Sequence, residues 1–436
     1  MRQLYVPAAL AVLFWLGPLS ADVNPKFSPP PKAEQKAHVR TLHGETVVDP
    51  YYWLREKGSA DVTTYLKAEN AYTDLVTRRI EPFREKLYKE FLARIQQTDL
   101  SVPYRRGSFY YYNRTEEGKQ YPIVCRKRGS LDAAEEVMLD VNELAKGQKF
   151  FSLGAQAVSD DGNLLAYLTD NVGFREYTLS VKDLRNGQLL SDKLEKISNP
   201  QWSADGRYLF YSVDDAAKRP CKVYRHELGT PREQDQLLYH EKDELFRVGL
   251  GRTLDRKYIT LLITSSESSE THFLPTDRPT AAFQVFRPRE AKHRYRIVGH
   301  NGGSFYVLTN KDAKNFRLIK AAVSDPARWR EVIAHRPDVL LRGVTIFAKY
   351  MVVDEKTDGL DRLLVRDLTA DRVHVVAMPE PTYSLSGSTN AEFDSSTYRF
   401  GYASFTTPQS VYDYDLVTHE KKLLKRERVL GDFDAN

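Results

Sequence analysis

Short runs of alternating apolar and polar residues make up most of the chain after Asp99. Alternation with a period of two places every second side chain on one face, which is the pattern of a half-buried β-strand. Turn-forming residues separate these runs, at residues 160–163, 185–187, 205–207 and 357–359 (DDGN, RNG, DGR and TDG). Such residues favour the tight turns of hairpins, so the pattern predicts a mainly β body of consecutive antiparallel strands.

Two segments of this β region resemble each other. Residues 158–167 (VSDDGNLLAY) and 202–211 (WSADGRYLFY) align, with their Asp-Gly pairs 44 residues apart. That period is the size of one four-stranded propeller blade. The region from Ser101 to Leu430, about 330 residues, divided by about 45 to 50 residues per blade gives close to seven blades. We therefore predict a seven-bladed β-propeller, with a large β-sandwich or two smaller all-β domains as the alternative.

Before this β region the apolar period changes to that of a helix. Apolar residues recur near a period of 3.6 in two runs, one at Val62, Leu66, Ala71, Leu75 and Val76 and the other at Phe83, Leu87, Phe91 and Ile95. Pro82 lies between the runs, and proline ends a helix that precedes it. The pattern predicts a short helical N-terminal segment made of two amphipathic helices.

The first residues have the pattern of an export signal. Arg2 supplies a positive charge, Val6 to Leu16 form a short apolar stretch, and small residues lead to a cleavage position near Ala21. The stretch is shorter than the about 20 residues that usually span a bilayer. We expect a signal peptide over residues 1–21 and export, to the periplasm of a bacterial cell. An uncleaved anchor is the alternative, because Leu19 is not the small residue expected before the cut.

The charge balance narrows the range of binding partners. Lys and Arg number 64 against 59 Asp and Glu, and the net charge of +5 is scattered along the chain. Neither nucleic acid nor an anionic membrane is a favoured partner for such a surface.

Two cysteines, Cys125 and Cys221, form no disulfide framework, and Cys125 is expected as a buried filler on a strand face. A bridge between the two cysteines is the alternative.

The sequence contains no motif that carries catalytic chemistry. A nucleophile elbow needs Gly-x-Ser-x-Gly, and the nearest approach, Gly302-Gly303-Ser304-Phe305-Tyr306, has Tyr306 in place of the second glycine. No histidine recurs at a metal-binding spacing after His240-Glu241, and no glycine-rich phosphate loop is present. We therefore assign no catalytic, cofactor-binding or metal-ligating residue and predict no cofactor, and we interpret Ser304 as a residue of a propeller blade.

Two other groups of residues are interpreted as structural. Residues 49–55 (DPYYWLR) are rich in aromatic side chains that bury much apolar surface, so we interpret this segment as a packing anchor. The acidic residues Glu116, Glu117, Asp160 and Asp161 are interpreted as turn and surface groups.

Several motifs resemble the prolyl oligopeptidase family, and specifically its oligopeptidase B branch. They follow one another in order along almost all of the chain, at His43-Gly44, 49–55, 65–72 (YLKAENAY), 102–104 (VPY), 112–122 (YNRTEEGKQYP), 181–184 (VKDL), Thr309-Asn310, Asn315-Phe316 and 406–412 (TTPQSVY). Residues 429–434 (VLGDFD) resemble the linker that leads back to the hydrolase domain in that family.

The resemblance implies that the domains have different roles. In that family the propeller caps an α/β-hydrolase domain and restricts access to peptides, the N-terminal segment packs on the hydrolase domain, and the Ser, Asp and His of the triad follow the propeller. We expect this chain to lack the α/β-hydrolase domain, with a signal peptide over 1–21, an N-terminal extended and helical segment over 22–97, the propeller over 98–430 and a truncated linker over 431–436.

The function implied is that of the substrate-gating part of a serine peptidase. Oligopeptidase B-like enzymes cut short peptides after Arg or Lys, and the partner of this chain would be a hydrolase domain in cis or in trans. Because the groups of a triad act as a unit, a chain without them is expected to be inactive alone. The alternatives are an exported propeller that binds peptides or proteins by itself, and an enzyme with an unrecognised site.

Overall fold

A computed structural model describes residues 29–431. The predicted signal peptide and residues 432–436 of the predicted linker lie outside the described residues. The described residues form two compact units, which divide between Arg94 and Ile95. Among the described residues, no helix combines the length and the hydropathy needed to cross a membrane.

The first unit contains a hairpin and two helices. The hairpin pairs β1 (His38–Leu42) with β2 (Glu45–Asp49), a 3₁₀ turn follows at Tyr52–Arg55, and the helices are α1 (Ala60–Thr77) and α2 (Glu81–Ala93), joined by a 3₁₀ turn at Arg78–Ile80. Ser59 caps α1 by accepting a hydrogen bond from the Val62 N–H. Pro82 lies in the first turn of α2, where its missing N–H costs nothing. The two predicted helices are confirmed.

Trp53 organises the start of this unit, as expected of a packing anchor. Its Nε1 donates to the Glu34 carbonyl at 2.8 Å, the Lys36 ammonium lies 4.8 Å from its ring centre, and the Tyr65 ring meets it edge-on. Neighbouring Tyr51 nevertheless remains 42% exposed. The anchor therefore leaves aromatic surface uncovered.

The apolar faces of the two helices are largely uncovered as well. Val62 is the only buried side chain of α1 among the described residues, and α2 has none. On α2 and just beyond it, Phe83, Phe91 and Ile95 are each about 60% exposed. An apolar stripe of this size on a helix is typical of a surface that contacts another protein or domain.

The second unit consists of seven sheets, which confirms the predicted seven-bladed propeller and excludes the β-sandwich alternative. Blade 1 contains β3 (Asp99–Leu100), β4 (Tyr104–Arg106), β5 (Phe109–Thr115), β6 (Ile123–Arg128) and β7 (Glu135–Asp140), followed by the short helix α3 (Val141–Ala145). Blade 2 contains β8 (Ser152–Val158), β9 (Leu164–Asp170), β10 (Thr178–Asp183) and β11 (Leu189–Glu195). Blade 3 contains β12 (Ile197–Trp202), β13 (Tyr208–Asp214), β14 (Pro220–Glu227) and β15 (Gln236–His240).

The remaining four blades follow the same plan. Blade 4 contains β16 (Arg247–Arg252), β17 (Tyr258–Thr264), β18 (Ser269–Pro275) and β19 (Gln284–Arg287). Blade 5 contains β20 (Tyr295–Asn301), β21 (Ser304–Thr309), β22 (Arg317–Ala322) and β23 (Asp325–Ile333). Blade 6 contains β24 (Val339–Ile346), β25 (Tyr350–Thr357), β26 (Leu360–Asp367) and β27 (Val373–Val375), and blade 7 contains β28 (Ser384–Gly387), β29 (Thr397–Ala403), β30 (Ser410–Asp415) and β31 (Lys421–Arg426).

The repeat seen in the sequence has a chemical basis in the turn between the first two strands of a blade. Ser159 in blade 2 and Ser203 in blade 3 are both buried. Each hydroxyl donates to the aspartate two residues later and accepts from the N–H five residues later. The glycine that follows the aspartate has a positive φ in both turns. All four predicted turns join consecutive strands.

The apolar core lies between neighbouring blades. Leu179 of blade 2 packs with Trp202 and Leu209 of blade 3 in one buried cluster, and the Trp202 Nε1 donates to the Ala157 carbonyl across the same boundary. Cys125 and the second cysteine are both buried with free thiols, so the predicted filler role is confirmed and the alternative bridge is wrong.

Replacing Gly162 by alanine is expected to destabilise the contact between blades 1 and 2. The residue has φ +77, and a Cβ there would lie 2.7 Å from the buried Phe109 ring. Gly359→Ala is the matched control, because Gly359 has φ +79 with nothing within 4 Å of a Cβ. We expect the control to lose about 1 kcal/mol of unfolding free energy and G162A to lose about 2 kcal/mol more, measured by urea unfolding. Equal losses would contradict the clash.

Candidate functional site at the two ends of the propeller

The first and last strands of the propeller meet at one end of the ring. Lys425, near the end of β31, donates to the Leu100 carbonyl at 2.7 Å and pairs with Asp99 at the start of β3. We name the end of the ring that contains these residues the proximal face and the opposite end the distal face. Burial alone would raise the pKa of Asp99, but the hydrogen bond from Lys425 lowers it. The chain therefore enters and leaves the propeller at the proximal face.

Charged side chains meet at the distal face, where the innermost strands end. Arg252 binds the Asp160 carboxylate through two hydrogen bonds of 2.9 and 2.6 Å. Arg106 donates to the same carboxylate at 3.3 Å. Arg256 lies 3.6 Å from the Glu392 carboxylate. We name these five residues the distal cluster.

The distal cluster crosses the propeller axis. Asp160 belongs to blade 2 and Arg252 to blade 4, so their pair passes over blade 3. Glu392 follows β28 of blade 7, and in a ring of seven, blades 4 and 7 lie on opposite sides. The Arg252 side chain is only 11% exposed and that of Asp160 is 22% exposed. Charged side chains from four blades therefore meet at the distal end of the axis.

Arg256 is held in a backbone conformation that favours glycine. Its φ is +61, and it follows Thr253-Leu254-Asp255 as Gly206 follows Ser203-Ala204-Asp205. A left-handed conformation costs a residue with a Cβ about 1 to 2 kcal/mol. Burial, together with the nearby Arg106 charge, lowers the pKa of the Arg256 guanidinium from its usual value. The charge of Arg256 therefore lies in a partly buried position, 3.6 Å from the Glu392 carboxylate.

Replacing Asp160 by asparagine is expected to weaken the distal cluster. Asparagine keeps the shape but removes the negative charge that faces Arg106 and Arg252. Because these groups are only partly exposed, we expect a loss of about 2 kcal/mol in unfolding free energy and a smaller dependence of stability on NaCl than in the parent. Urea unfolding at low and high salt measures both. An unchanged midpoint would mean that the pairs contribute nothing to the fold.

A groove of about 890 Å³ lies at the seam between blades 7 and 1. Arg399 bridges its walls, since it binds Asp413 of its own blade at 2.7 Å and donates to the Pro103 carbonyl of blade 1 at 2.7 Å. Glu392 accepts from the Gly107 N–H at 2.7 Å across the same seam. Side-chain hydrogen bonds and ion pairs thus connect the first blade to the last.

No catalytic arrangement is found within residues 29–431. Ser304 begins β21, as predicted for a blade residue. The nearest likeness to a triad is His293, whose Nε2 lies 2.8 Å from the Thr309 hydroxyl and whose Nδ1 lies 4.0 Å from Glu290. His293 is 2% exposed and Thr309 is fully buried, so no substrate reaches them. Burial also lowers the pKa of His293. These residues form a packed contact.

The other residues singled out in the sequence fall into two groups. Asp161 accepts hydrogen bonds within its own turn, as predicted for a turn residue. Asp160 does not remain a surface group, because it binds arginines from two other blades. The described residues contain no group of three or more His, Cys, Asp or Glu side chains placed to bind a metal ion.

The arrangement of the sheets defines the class of protein. Six four-stranded sheets and one five-stranded sheet surround an axis, charged side chains meet at its distal end, and the first and last strands of the ring meet at the proximal face. This arrangement is that of a seven-bladed β-propeller domain.

Comparison with known proteins identifies the family. The model of the prolyl oligopeptidase N-terminal β-propeller domain matches residues 30–427. The chain therefore belongs to the prolyl oligopeptidase family, which confirms the resemblance seen in the sequence.

Relatives and solved structures agree with this assignment. The chain is 37% identical over 441 residues to dipeptidyl aminopeptidase BI of Pseudoxanthomonas mexicana, with 96% of this chain and 60% of the relative covered. It is 31% identical to protease 2 of Moraxella lacunata, with 93% and 60% covered. Oligopeptidase B from Leishmania major superposes with a TM-score of 0.88 at 29% identity, covering 93% of this chain and 62% of that one. The chain thus spans about 60% of the length of these proteins.

Proposed function

We propose that this chain is the substrate-gating portion of a serine peptidase that hydrolyses short peptides, and that it works with an α/β-hydrolase domain in cis or in trans. Cleavage after Arg or Lys is part of the proposal and is supported by the similarity to oligopeptidase B structures. The chain alone is inactive in this proposal, because residues 29–431 contain no serine or cysteine hydrogen-bonded to a histidine, and the one histidine–threonine pair is buried.

The distal cluster is the observation that carries the proposal. Its ion pairs place side chains of blades 1, 2, 4 and 7 across the axis, so they narrow this end of the ring. A domain seated on the proximal face would then be reached by two routes, the narrowed axis of the propeller or a gap between that domain and the propeller. Only small substrates would pass through either route. This size restriction is the physical meaning of gating here.

The uncovered surface of the first unit supports the same conclusion. The stripe that Phe83 and Phe91 form on α2 is apolar and exposed. Burying such side chains stabilises an interface by about 25 cal/mol per Å² of apolar area. A hydrolase domain is the partner that the family membership provides for this stripe.

A fusion protein tests the proposal. The full chain up to Gly431 is continued by the part of dipeptidyl aminopeptidase BI that follows its matched region, and hydrolysis of short chromogenic peptides ending in Arg, Lys or Pro is measured beside the unfused chain. We expect the fusion to cleave after Arg and Lys and the unfused chain to show no activity. The same fusion made with protease 2 of Moraxella lacunata guards against a junction that fails to fold.

The outcomes separate the parts of the proposal. Activity of the unfused chain would overturn the claim that it is inactive alone. Two folded fusions without peptidase activity would overturn the gating role, and cleavage after Pro but not after Arg or Lys would overturn the specificity alone.

Export is proposed as well, on the basis of the first 21 residues of the sequence. In a Gram-negative host we expect the chain in the periplasmic fraction, with a mature N-terminus at Asp22. N-terminal sequencing of the fractionated protein measures this. A chain found in the membrane fraction with Met1 retained would instead support the uncleaved anchor.

A second candidate function is peptide binding by the propeller itself. The groove of about 890 Å³ at the seam favours it, since charged and polar side chains line much of it. Calorimetry of the unfused chain with a set of short peptides decides between the two. Affinity that is lost on Lys422→Met, an exposed residue of the groove lining, without a change in stability, would support binding at the seam.

A further inference from the structure

The exposed aromatic side chains of the propeller are distributed unevenly. Within the described part of the second unit, three phenylalanines are exposed: Phe150 at 44%, Phe174 at 62% and Phe405 at 100%. Phe150 precedes β8, Phe174 follows β9 and Phe405 follows β29, and all three positions lie at the proximal face. Exposed aromatic residues gathered on one face of a domain mark an interaction surface.

The loop that carries Phe405 is held by one carboxylate. Glu380 accepts hydrogen bonds from the Tyr402 hydroxyl at 2.6 Å, the Ser404 hydroxyl at 2.7 Å and the Thr407 hydroxyl at 2.9 Å, and also from Thr406. Hydrogen bonds from Thr406, Tyr402 and Ser404 lower the pKa of Glu380 to about 2. The carboxylate therefore stays charged at neutral pH and keeps the loop in one conformation.

The exposed residues of blade 2 are supported in the same way. The Asp170 carboxylate, 2% exposed, accepts from the N–H groups of Val172, Gly173 and Arg175 at 2.8 to 3.0 Å. This arrangement fixes the loop that presents Phe174. Two separate loops of the proximal face thus present a phenylalanine on a backbone that is already ordered.

The Phe405 loop is also joined to the segment by which the chain leaves the propeller. The Glu427 N–H donates to the Gln409 carbonyl at 2.8 Å. The last strand of the propeller therefore ends beside this loop. In the relatives, about 40% of the chain lies outside the region matched here.

We propose that Phe405 is the aromatic anchor by which the propeller binds the peptidase domain, that it inserts into an apolar pocket of that domain, and that Glu380 is its positioning residue. The inference rests on the proposed function, because it takes the peptidase domain as the occupant of the proximal face. A side chain that is fully exposed yet held on an ordered loop loses little conformational entropy on binding. Such preorganised aromatic residues dominate the affinity of interfaces.

Hydrogen exchange in the fusion protein tests the anchor. We compare backbone exchange of residues 404–409 in the unfused chain, in the fusion and in the fusion carrying Phe405→Ser. The expected result is protection of the loop in the fusion, and exchange at least tenfold faster after the substitution. Because the unfused chain leaves Phe405 fully exposed, F405S is expected to leave its urea midpoint unchanged.

Val417→Ser is the matched control. Val417 is 61% exposed and lies in the turn between β30 and β31, at the distal end of the same blade. We expect no change in exchange of the 404–409 loop from V417S. Glu380→Gln, which keeps the shape but loses the charge, is expected to reduce the protection less than F405S does.

The possible outcomes also separate this inference from the proposed function. An active fusion in which F405S changes neither loop exchange nor kcat/KM overturns the anchor and leaves the gating role intact. A folded fusion without activity in which F405S still removes the protection supports the anchor and counts against the gating role. If sedimentation shows that the unfused chain dimerises and that F405S abolishes only the dimer, the occupant is a second copy and the proposal is overturned.

Discussion

Glu355→Ala is expected to destabilise the propeller by about 3 kcal/mol. The Glu355 side chain is fully buried in β25, where it accepts hydrogen bonds from Arg336 and Arg362. Alanine removes the only negative charge between two guanidinium groups and leaves a cavity. The two arginine side chains are each about one-third exposed, which lets them regain some water and keeps the loss below that of a fully buried pair.

Urea unfolding of three variants measures this effect. Glu420→Ala is the control, since Glu420 is exposed in a turn, and it should change the unfolding free energy by less than about 0.5 kcal/mol. Glu355→Gln keeps the volume, so the difference between E355Q and E355A separates the charge from the cavity. A loss of less than about 1 kcal/mol for E355A would show that the buried pair contributes little net stability.

The second large effect is a dependence of stability on pH between about 6.5 and 9. His226 of blade 3 is fully buried and lies 3.0 Å from Asp192 of blade 2 and 2.6 Å from Asp235. Burial disfavours the charged ring, but the hydrogen bonds to the two carboxylates outweigh it and raise the pKa of His226 from 6.5 to about 9. Folding therefore stabilises the protonated ring.

The direction of the change follows from the raised pKa. Below pH 6.5 the ring is protonated in both the folded and the unfolded chain, and its stabilisation is fully present. As the pH rises through about 9, the folded protein loses that proton and the stabilisation with it. We expect a loss on the order of 3 kcal/mol between these values, measured by urea unfolding at constant ionic strength.

His226→Asn supplies the control for this pH series. Asparagine does not titrate, so the H226N variant should be less stable at pH 6.5 and should show a much flatter profile up to pH 9. An equally steep profile in H226N would assign the dependence to another group. His293 does not interfere, because its lowered pKa places its titration below pH 6.5.

Much of the propeller could be predicted because its signals are local. The alternation of residues, the turn residues and the repeat near Asp161 and Asp205 each involve few neighbours along the chain. A third copy of the repeat, Thr253-Leu-Asp-Arg256, lacks the Asp-Gly pair that marks the other two. Threonine replaces the serine there and Arg256 replaces the glycine, while the hydrogen bonds are kept. The sequence does not predict that Arg256 adopts φ +61, because this conformation is unfavourable for a residue with a Cβ. Contacts with residues far along the chain balance its cost.

The candidate sites could not be predicted for a related reason. Asp160 and Arg252 are 92 positions apart, and only the ring geometry brings blade 2 against blade 4. Nothing in the segment around Asp160 distinguishes it from the neighbouring Asp161, which serves its own turn. Likewise Phe405 follows a strand of alternating residues, and its full exposure depends on the hydrogen bonds of Glu380, 25 positions earlier.

The way the sheets are assembled has a consequence for synthesis. Each of the seven sheets consists of strands that are consecutive in the sequence, so each can form as soon as its own segment of about 45 residues has left the ribosome. The contacts between Lys425 and Asp99 and between Arg399 and Pro103 join positions 326 and 296 residues apart. These contacts can form only after the last blade has been synthesised. A nascent chain would therefore carry six formed blades in an open arc, with the edge of blade 1 exposed to chaperones until translation reaches the seventh.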